Sequence, residues 1–339
     1  MVGLTTEGGR VTGVEVERHG QRFPIAARHG VVIASGGFEW NQEMRDKYLT
    51  LPGRTQWATS PERANDGKAT LAGLAIGADV EFMETGWYIP SMLMPTPGVP
   101  NTDMTHQMSF DHGRPHSVVV NLKGKRFVKE TIAYDRFGLA MIEDAKAGTS
   151  NGVVWHIFDD QFRDKYSSGG FMLKGLMPDS KVPAGWWDHY IYRAGSIAEL
   201  AGKIGGDAAT LQQTVANMND YARRGTDPEF GRGSDAYVQF FGDPRVQPNS
   251  CIGTIERGPF YAVPIVLGDM GTKGGLKADA QARVLDKAGV PIGGLYAAGN
   301  AAGSMTGNCY PGAGGTIGPA MTFGFIAANA IAENADNAR

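Results

Sequence analysis

Glycine clusters that follow strand-like runs are the feature that most constrains the fold of this chain. The sequence has 48 glycines in 339 residues, about twice the usual share. They stand after apolar runs of strand type and before segments of helical periodicity, so they are not low-complexity sequence. Because glycine lets the backbone approach another group closely, these turns are the first place to look for a bound ligand.

The amino-terminal region predicts a β-meander, then a strand and a helix. Residues 11–16 alternate apolar and polar side chains after a turn signal at 7–10. Residues 30–34 are an apolar run, which predicts a buried strand ending in Ser-Gly-Gly. Residues 62–80 contain an Asn-Asp-Gly turn followed by apolar residues at helical spacing, which predicts a helix closed by Gly77.

The middle of the chain has a different composition. From Trp87 onward, prolines predict a loop-rich passage, and residues 117–125 predict a hairpin around a Lys-Gly-Lys turn. Residues 196–222 predict two helices, the first starting at a capping box of Ser196 and Glu199 and the second capped by Asp207. The prolines in question are Pro90, Pro95, Pro97 and Pro100.

The carboxyl-terminal third returns to the first pattern. Residues 293–300 form a short apolar strand that ends in glycine, and residues 316–333 predict a helix. Strand–glycine–helix units at both ends of the chain flank a middle part of different composition. This arrangement predicts an α/β domain interrupted by an inserted α+β domain. We expect residues 1–86 and 268–339 to form the two parts of the first domain and 87–267 to form the insert. The apolar residues of the last helix spaced for one face are Ile317, Met321, Ala328 and Ile331.

Charge and cysteine content exclude several classes of function. Lys and Arg number 32 against 35 Asp and Glu, for a net charge of −3, so nothing predicts a basic face for nucleic acid. Cys251 and Cys309 are too few for a disulfide framework, which fits a reducing compartment. No apolar run reaches the length of a membrane span. We therefore expect a cytoplasmic protein.

The glycine-rich run at 307–324 is the segment most suggestive of chemistry. It leads directly into a helix whose first turn contains Pro319. The N–H groups at the start of such a helix favour a developing anion, and Tyr310 supplies a hydroxyl close by in sequence. A tight turn with ordinary helix packing explains the glycines equally well. No G-x-G-x-x-G follows a strand anywhere in the chain, so the usual pyrophosphate loop is absent from it.

Four segments resemble flavoproteins of the fumarate reductase/succinate dehydrogenase superfamily, and within it the 3-ketosteroid Δ1-dehydrogenases. They are GLYAAGN at 294–300, NCYPGAGGTIGPAMTFG at 308–324, GDMGTKGGL at 268–276 and NLKGKRFVKE at 121–130. The resemblance runs from about residue 8 to 332. It implies an FAD-binding Rossmann-like domain, incomplete at its N-terminus because the family's usual GxGxxG unit is lacking, with an inserted catalytic domain.

The resemblance also implies the catalytic groups. In the ketosteroid enzymes the tyrosine of the YPGxG motif, here Tyr310, donates to the substrate's ketone together with the backbone N–H of the glycine that is here Gly314. A second tyrosine, here Tyr134, acts as base on the carbon next to the ketone. A hydride then passes from the neighbouring carbon to FAD. A further tyrosine that supports this base in the family has no counterpart in this sequence.

Flavin-contacting positions follow from the same resemblance. Asp66 and Asn300 stand where polar side chains of the family meet ribose or ribityl hydroxyls. Glycines of three turns allow close backbone approach, and the start of the last helix offers N–H groups to the flavin's pyrimidine edge. The full set is Gly36, Gly37, Asp66, Gly67, Gly299, Asn300, Thr316 and Ile317.

Departures from the fumarate reductases favour a neutral, apolar ketone as substrate. Those enzymes resemble this chain but have an arginine where Tyr134 stands and a histidine where Gly271 stands. Arg136 is an alternative proton donor. An apolar segment could line a flat hydrophobic ligand or equally pack between domains. Its residues are Trp87, Tyr88, Met92, Leu93 and Met94.

Metal and thiol chemistry are not expected. His106, His112 and His116 lie close in sequence without a matching carboxylate or cysteine set. Cys309 has no histidine nearby in sequence, so we expect a small packing residue and not a nucleophile.

Two alternatives stay open. The chain could be another flavoprotein of the superfamily, such as an ene-reductase or a ketosteroid dehydrogenase acting at a different bond. It could also be an inactive fragment that binds no FAD. The natural substrate and the electron acceptor are not predicted.

Overall fold

The structure is a computed structural model that describes residues 1–60, 65–95, 103–107 and 111–336, for 103–107 and 336 without their side chains. It divides into two compact units. Unit 1 contains Met1–Trp87 and Asp269–Arg339, and unit 2 contains Tyr88–Gly268. The chain leaves unit 1 and returns to it within two long strands.

The first part of unit 1 contains strands β1 to β5 and helices α1 and α2, and it ends at the start of strand β6. Their bounds are β1 Gly3–Glu7, β2 Arg10–Arg18, β3 Gln21–Ala26, β4 Val31–Ile33, α1 Gln42–Tyr48, α2 Lys68–Ala75, β5 Val80–Glu81 and β6 Gly86–Pro95.

Unit 2 continues from β6 through strands β7 to β10 and helices α3 to α7, and it ends within strand β11. Their bounds are β7 Asp103–Gln107, β8 Ser117–Val120, α3 Tyr134–Lys146, β9 Val153–Phe158, α4 Asp160–Lys165, β10 Tyr192–Ala194, α5 Ile197–Lys203, α6 Ala208–Arg224, α7 Ala236–Phe240 and β11 Phe260–Thr272.

The second part of unit 1 adds three strands and the longest helix. Their bounds are β12 Gly275–Leu276, β13 Arg283–Leu285, β14 Pro291–Ala297 and α8 Ile317–Asp336. Among the described residues, no helix has both the length and the apolar character that crossing a bilayer requires.

Unit 1 is built on a sheet with the order β1-β2-β14-β13, to which β3 adds at β2 and β4 at β14. Strands β14 and β4 are parallel, with Leu295 opposite Val31 and Ala297 opposite Ile33. Parallel neighbours end at the same edge of a sheet. The glycine turns after β4 and β14 therefore come together at that edge.

Unit 2 is built on a sheet with the order β7-β6-β11-β9-β8, to which β10 adds at β11. Helices α5 and α6 pack on this sheet through a core of buried apolar side chains. The predicted caps are present, since Glu199 N–H donates to Ser196 Oγ at 3.2 Å and Thr210 N–H donates to Asp207 at 2.7 Å. Both helices therefore start where the sequence predicts.

The loop-rich passage and the hairpin are wrong predictions. Residues from Trp87 to Met94 belong to strand β6, which is almost wholly buried. The sequence did not indicate this strand, because a strand buried on both faces is a continuous apolar run without alternation. Pro90 precedes the stretch paired with β7, and Pro95 ends it; Pro97 and Pro100 lie outside the described residues. Strand β8 pairs with the distant β9, and no strand follows its turn.

The buried face of α8 also differs from the prediction. The helix forms as expected and Ile331 packs as predicted, but Ile317 is 62% exposed, Met321 70% exposed, and Ala328 is exposed as well. The side chains that pack on the sheet are Phe323, Ile326, Ala327, Ala330 and Ile331. The helix is apolar on more than one side, so spacing alone does not identify the packed face. Val32 of the predicted buried strand is likewise 38% exposed.

Candidate functional site

A cavity of about 170 Å³ in unit 1 contains several of the predicted site residues. It lies where the turn after β14 meets the start of α8. Gly299, Asn300 and Thr316 line it, together with Trp87 and Glu81. Burial raises the pKa of the Glu81 carboxyl despite the opposing effect of Lys277. Residues that are far apart in sequence therefore share one cavity.

Asn300 is held in this cavity by two neighbours. Its Oδ1 accepts a hydrogen bond from Trp87 Nε1 at 3.2 Å. On its other side lies Gly271, where an added Cβ would stand 2.8 Å from Asn300 Nδ2. Gly271 has a φ of +138°, a conformation that side chains rarely adopt. A histidine at this position would therefore require both backbone strain and displacement of Asn300.

Tyr310 is connected to the same group of residues through Trp87. The two rings meet edge to face with centroids 5.2 Å apart. The ammonium of Lys273 lies 4.6 Å from the centre of the Trp87 ring and donates to the carbonyl oxygen of Cys309 at 3.1 Å. Lys273 is only 4% exposed. Sequence reasoning missed Lys273, because nothing in the GTKGG segment indicates that its lysine is buried.

Gly314 lies in the turn that precedes α8. It is exposed and has a φ of +86°, and no heavy atom stands within 4 Å of an ideal Cβ there. Its carbonyl accepts from Gly318 N–H at 2.9 Å. Thr316 lies half-buried at the start of the helix, whereas Ile317 points its side chain outward. The space beside the Gly314 α-carbon is thus open, as a ligand site at the helix start requires.

The turn after β4 approaches polar side chains closely. An added Cβ at Gly36 would overlap the Asn65 amide, and one at Gly37 would stand 2.8 Å from Glu39 Oε2. Phe38 N–H donates to Thr272 Oγ1 at 3.0 Å, which fixes the turn against the end of β11.

Asp66 and Gly67 lie beside this turn at the start of α2. Asp66 forms an ion pair with Lys68 at 2.7 Å, and its carbonyl accepts from Asn41 Nδ2 at 2.9 Å. Gly67 is the N-cap of α2, with a φ of +70°. Asp66 is therefore engaged in local contacts that also explain its presence in a turn.

Glu39 is a buried carboxylate that joins these groups, and sequence reasoning missed it. Its Oε1 accepts from Asn65 Nδ2 at 2.5 Å and from Ser60 Oγ at 3.0 Å. Its Oε2 has no hydrogen-bond partner among the described residues. Burial raises the pKa of Glu39, although the Asn65 hydrogen bond opposes the shift. An added Cβ at Gly271 would lie 3.5 Å from Glu39 Oε1, so this carboxyl stands between the turn after β4 and Asn300.

Tyr134 belongs to unit 2, where it is the first residue of α3 and half-buried. Tyr237 of α7 interacts with it electrostatically. Burial is the main cause that raises the pKa of Tyr237, and Tyr134 raises that pKa further. Arg136, the alternative proton donor, is 54% exposed and lies 3.7 Å from the carboxylate of Asp135. The Arg136 side chain is therefore directed at a neighbouring carboxylate.

The segment before Tyr134 is anchored by a buried network of charges in unit 2. The Arg126 guanidinium makes paired hydrogen bonds to Glu130 and to Asp227, all between 2.8 and 3.0 Å. Arg232 lies 3.5 Å from Glu130 and donates to the carbonyl of Ser117 at 2.8 Å. Burial alone would raise the pKa of Glu130, but Arg126 and Arg232 outweigh it and lower that pKa. The network holds the backbone four residues ahead of Tyr134.

Two remaining predictions concern metal ligands and cysteine. Within the described part of the chain, no group of three or more His, Cys, Asp or Glu could hold a metal ion; the His106 side chain lies outside that part. His112 and His116 are buried. The expectation that Cys309 is a packing residue is wrong, since its side chain is exposed, whereas Cys251 is buried. The glycine-rich turn around Cys309 leaves no core for it to join.

The apolar segment from Trp87 to Met94 is mostly core. Trp87, Tyr88, Met92 and Met94 are each 3% exposed or less, and Leu93 is half-buried. Packing is therefore the interpretation that holds for this segment, with Trp87 alone lining the cavity in unit 1.

Comparison with known proteins identifies the family. The family model described as FAD binding domain matches residues 1–317. The 3-oxosteroid 1-dehydrogenase of Mycolicibacterium smegmatis is 40% identical over 99% of this chain and 58% of its own length. The 4-oxocyclohexanecarboxylate 2-dehydrogenase of Sinomonas cyclohexanicum is 37% identical over 97% of this chain and 55% of its own. The chain thus spans little more than half the length of these relatives.

A solved structure supports the fold assignment. The 3-ketosteroid delta1-dehydrogenase from Sterolibacterium denitrificans, in complex with 1,4-androstadiene-3,17-dione, has a TM-score of 0.90 and 43% identity. The match covers 98% of this chain and 58% of that one. It confirms the predicted α/β flavoprotein fold and the resemblance of the motifs to 3-ketosteroid Δ1-dehydrogenases. The chain belongs to the FAD binding domain family, which confirms the prediction of FAD as the cofactor.

Proposed function

We propose that this chain carries the chemistry of an FAD-dependent 3-ketosteroid Δ1-dehydrogenase, an oxidoreductase that introduces a double bond next to a ring ketone. The observation that carries the proposal is the position of Tyr310. It stands on an open glycine turn, against Trp87 and next to the cavity lined by Asn300 and Thr316, in a chain 40% identical to a 3-oxosteroid 1-dehydrogenase.

The residues of unit 1 fit a flavin. Glu39 offers a buried oxygen that has no partner among the described residues, and the turn at Gly314 is open around its backbone. Asn300 and Thr316 supply polar groups to one cavity. In the proposal, the glycines at 36, 37, 67 and 299 allow close backbone approach, and Asp66, Asn300, Thr316 and Ile317 provide the other contacts. FAD, when bound, accepts the hydride released by the substrate.

The proposed roles of this chain's residues follow from ketone chemistry. The hydroxyl of Tyr310 and the backbone N–H of Gly314 donate to the ketone oxygen and stabilise the negative charge that develops on it. Tyr134, acting as its phenolate, takes the proton from the carbon next to the ketone and becomes the neutral phenol. Hydride departure from the following carbon then completes the double bond.

Single substitutions test these roles. Tyr310→Phe removes one donor to the developing oxyanion, so turnover of a 3-ketosteroid should fall by roughly 10²–10³. Tyr134→Phe should lower turnover by roughly 10²–10⁴ because the base is lost. Tyr296→Phe is a matched control in unit 1, since the Tyr296 hydroxyl accepts from Asn334 at 3.1 Å and lies outside the proposed site. Retention of FAD is read from the visible spectrum after desalting.

The outcomes separate the alternatives. A yellow protein with no turnover of any 3-ketosteroid would refute the proposal. A chain that stays colourless with added FAD would support the alternative of a fragment that binds no cofactor.

A smaller cyclic ketone is the second candidate substrate. The observation that favours it is the 37% identity to a dehydrogenase named for 4-oxocyclohexanecarboxylate. Dye reduction measured with this ketone and with a 3-ketosteroid distinguishes the two, since the better substrate has the higher kcat/KM. A fumarate-type substrate is disfavoured by Gly271, whose Cβ position is blocked by Asn300.

A further inference from the structure

Lys273 places a buried positive charge directly after strand β11. The residue is 4% exposed. Its main chain is fixed on both sides, because Lys273 N–H donates to Thr85 O at 3.1 Å and Ser304 N–H donates to Lys273 O at 3.0 Å. A buried ammonium is costly unless it is hydrogen-bonded or lies against an aromatic face. Lys273 does both.

Two contacts of the ammonium lie on either side of Tyr310. Lys273 Nζ donates to the carbonyl of Cys309, the residue immediately before Tyr310, at 3.1 Å. The same nitrogen lies 4.6 Å from the centre of the Trp87 ring, which in turn meets the Tyr310 ring. The Cys309 carbonyl also accepts from Thr306 Oγ1 at 3.0 Å.

The turn that contains Tyr310 is glycine-rich and is otherwise held by short-range hydrogen bonds, such as Cys309 N–H to Thr306 O at 3.0 Å. Residues 307–315 include several glycines, and the chain is exposed at Cys309 and half-buried at Tyr310. A side chain in such a turn keeps a fixed direction only if its backbone and its ring are both restrained.

We propose that Lys273 is the positioning residue for Tyr310, holding the turn through the Cys309 carbonyl and the ring through Trp87. The charge matters in both contacts, since a neutral side chain of the same length would make neither the charge-assisted hydrogen bond nor the cation–π contact. The restraint on the turn does not depend on the function proposed above. Only the catalytic consequence of that restraint rests on the proposed function.

Hydrogen exchange tests the restraint without any assay of activity. Lys273→Met keeps the length of the side chain and removes its charge. Peptides covering residues 304–316 should then exchange about tenfold faster, whereas peptides from α6 should be unchanged. Lys277→Met is the matched control, because Lys277 is 41% exposed and forms a surface ion pair with Asp79 at 3.5 Å. Unchanged exchange in the turn of a folded Lys273→Met variant would overturn the proposal.

Two further variants keep the test decisive. Lys273→Gln, which keeps a donor without the charge, replaces Lys273→Met if the latter does not fold, with the same expectation. Lys273→Arg keeps the charge and a donor, so it should restore most of the protection. A Lys273→Arg variant as unprotected as Lys273→Met would contradict a role for the charge.

Steady-state kinetics of the flavin-loaded chain test the catalytic consequence. Lys273→Met should lower kcat for a 3-ketosteroid about tenfold with KM within about twofold, because the donor is misaligned in the transition state. A variant with loosened exchange but normal kcat would refute the positioning role. If the unsubstituted chain does not turn over ketosteroids, the proposed function fails while the exchange data still decide the restraint.

Discussion

Removing the Arg126 side chain should destabilise unit 2 by far more than the loss of a surface ion pair would. Its side chain is 1% exposed, and those of Glu130 and Asp227 are fully buried. Arg126→Met leaves both carboxylates buried, with Arg232 at 3.5 Å from Glu130 as the remaining cation. Breaking a buried ion pair from one side costs about 3–5 kcal/mol. That is a large part of the ~5–15 kcal/mol that stabilises a typical domain.

The deficit should depend on pH in a defined direction. Burial alone would raise the pKa of Asp227, but Arg126 and backbone donors lower it from 3.8 to about 2. A carboxyl whose pKa is lowered in the folded state contributes stability above its unfolded pKa, and this contribution is lost as the pH falls towards 2. The variant lacks that contribution. Its deficit against the unsubstituted chain should therefore be largest near pH 7 and shrink below about pH 4.

Urea denaturation at several pH values measures both effects. Arg224→Met is the control, because its ion pair with Asp220 at 2.9 Å is 70% exposed on the arginine side and should contribute less than about 1 kcal/mol. Equal losses in the two variants, or a deficit in Arg126→Met that is the same at pH 3 and pH 7, would refute the role assigned to the network.

Three further predictions concern single positions. Glu39→Gln should make the free energy of unfolding less dependent on pH. Because the pKa of Glu39 is raised, the folded state loses stability as the pH rises above the ordinary glutamate range. Equal pH slopes of the free energy of unfolding in both proteins would contradict this. Gly271→Ala should cost about 1–3 kcal/mol because of its φ of +138° and the approach to Asn300, measured by urea denaturation; a cost below about 0.5 kcal/mol would be inconsistent with that geometry. Asp207→Ala should lower the urea midpoint through loss of the α6 cap to Thr210, and Asp207→Asn should retain most of the stability; equal midpoints for Asp207→Ala and the unsubstituted chain would contradict the cap.

Local signals explain which elements could be predicted. Helices α5 and α6 could be predicted because each starts at a capping residue, Ser196 or Asp207, whose side chain accepts from the backbone N–H three residues further on. Strand β6 was not, since its burial on both faces removes the alternation that marks a strand, and Pro90 reads as a loop signal. The packed face of α8 depends on which neighbour it meets, and the spacing of its apolar residues carries no such information.

The candidate site divides in the same way. Gly299, Asn300 and Thr316 belong to glycine-rich turns that the sequence marks, and they line one cavity. Glu39 and Lys273 carry no such mark, because each acts through partners that only the fold brings near. Glu39 lies next to Gly271, more than two hundred positions away in sequence. A charged residue that the fold buries looks identical, in the sequence, to one on the surface.

Two of the buried cations, Arg126 and Lys273, act in the same way. Arg126 fixes the segment that leads to Tyr134 within unit 2, and Lys273 fixes the turn that leads to Tyr310 within unit 1. Each proposed catalytic tyrosine stands beside a stretch of irregular backbone, which a helix or sheet ladder does not hold. A buried charge can hold such a backbone, because leaving its partners unsatisfied costs far more than a surface contact would. Buried charge also occurs elsewhere in the chain, at Arg45 and Arg163, but beside the two proposed catalytic tyrosines it would supply the positional accuracy that proton transfer requires.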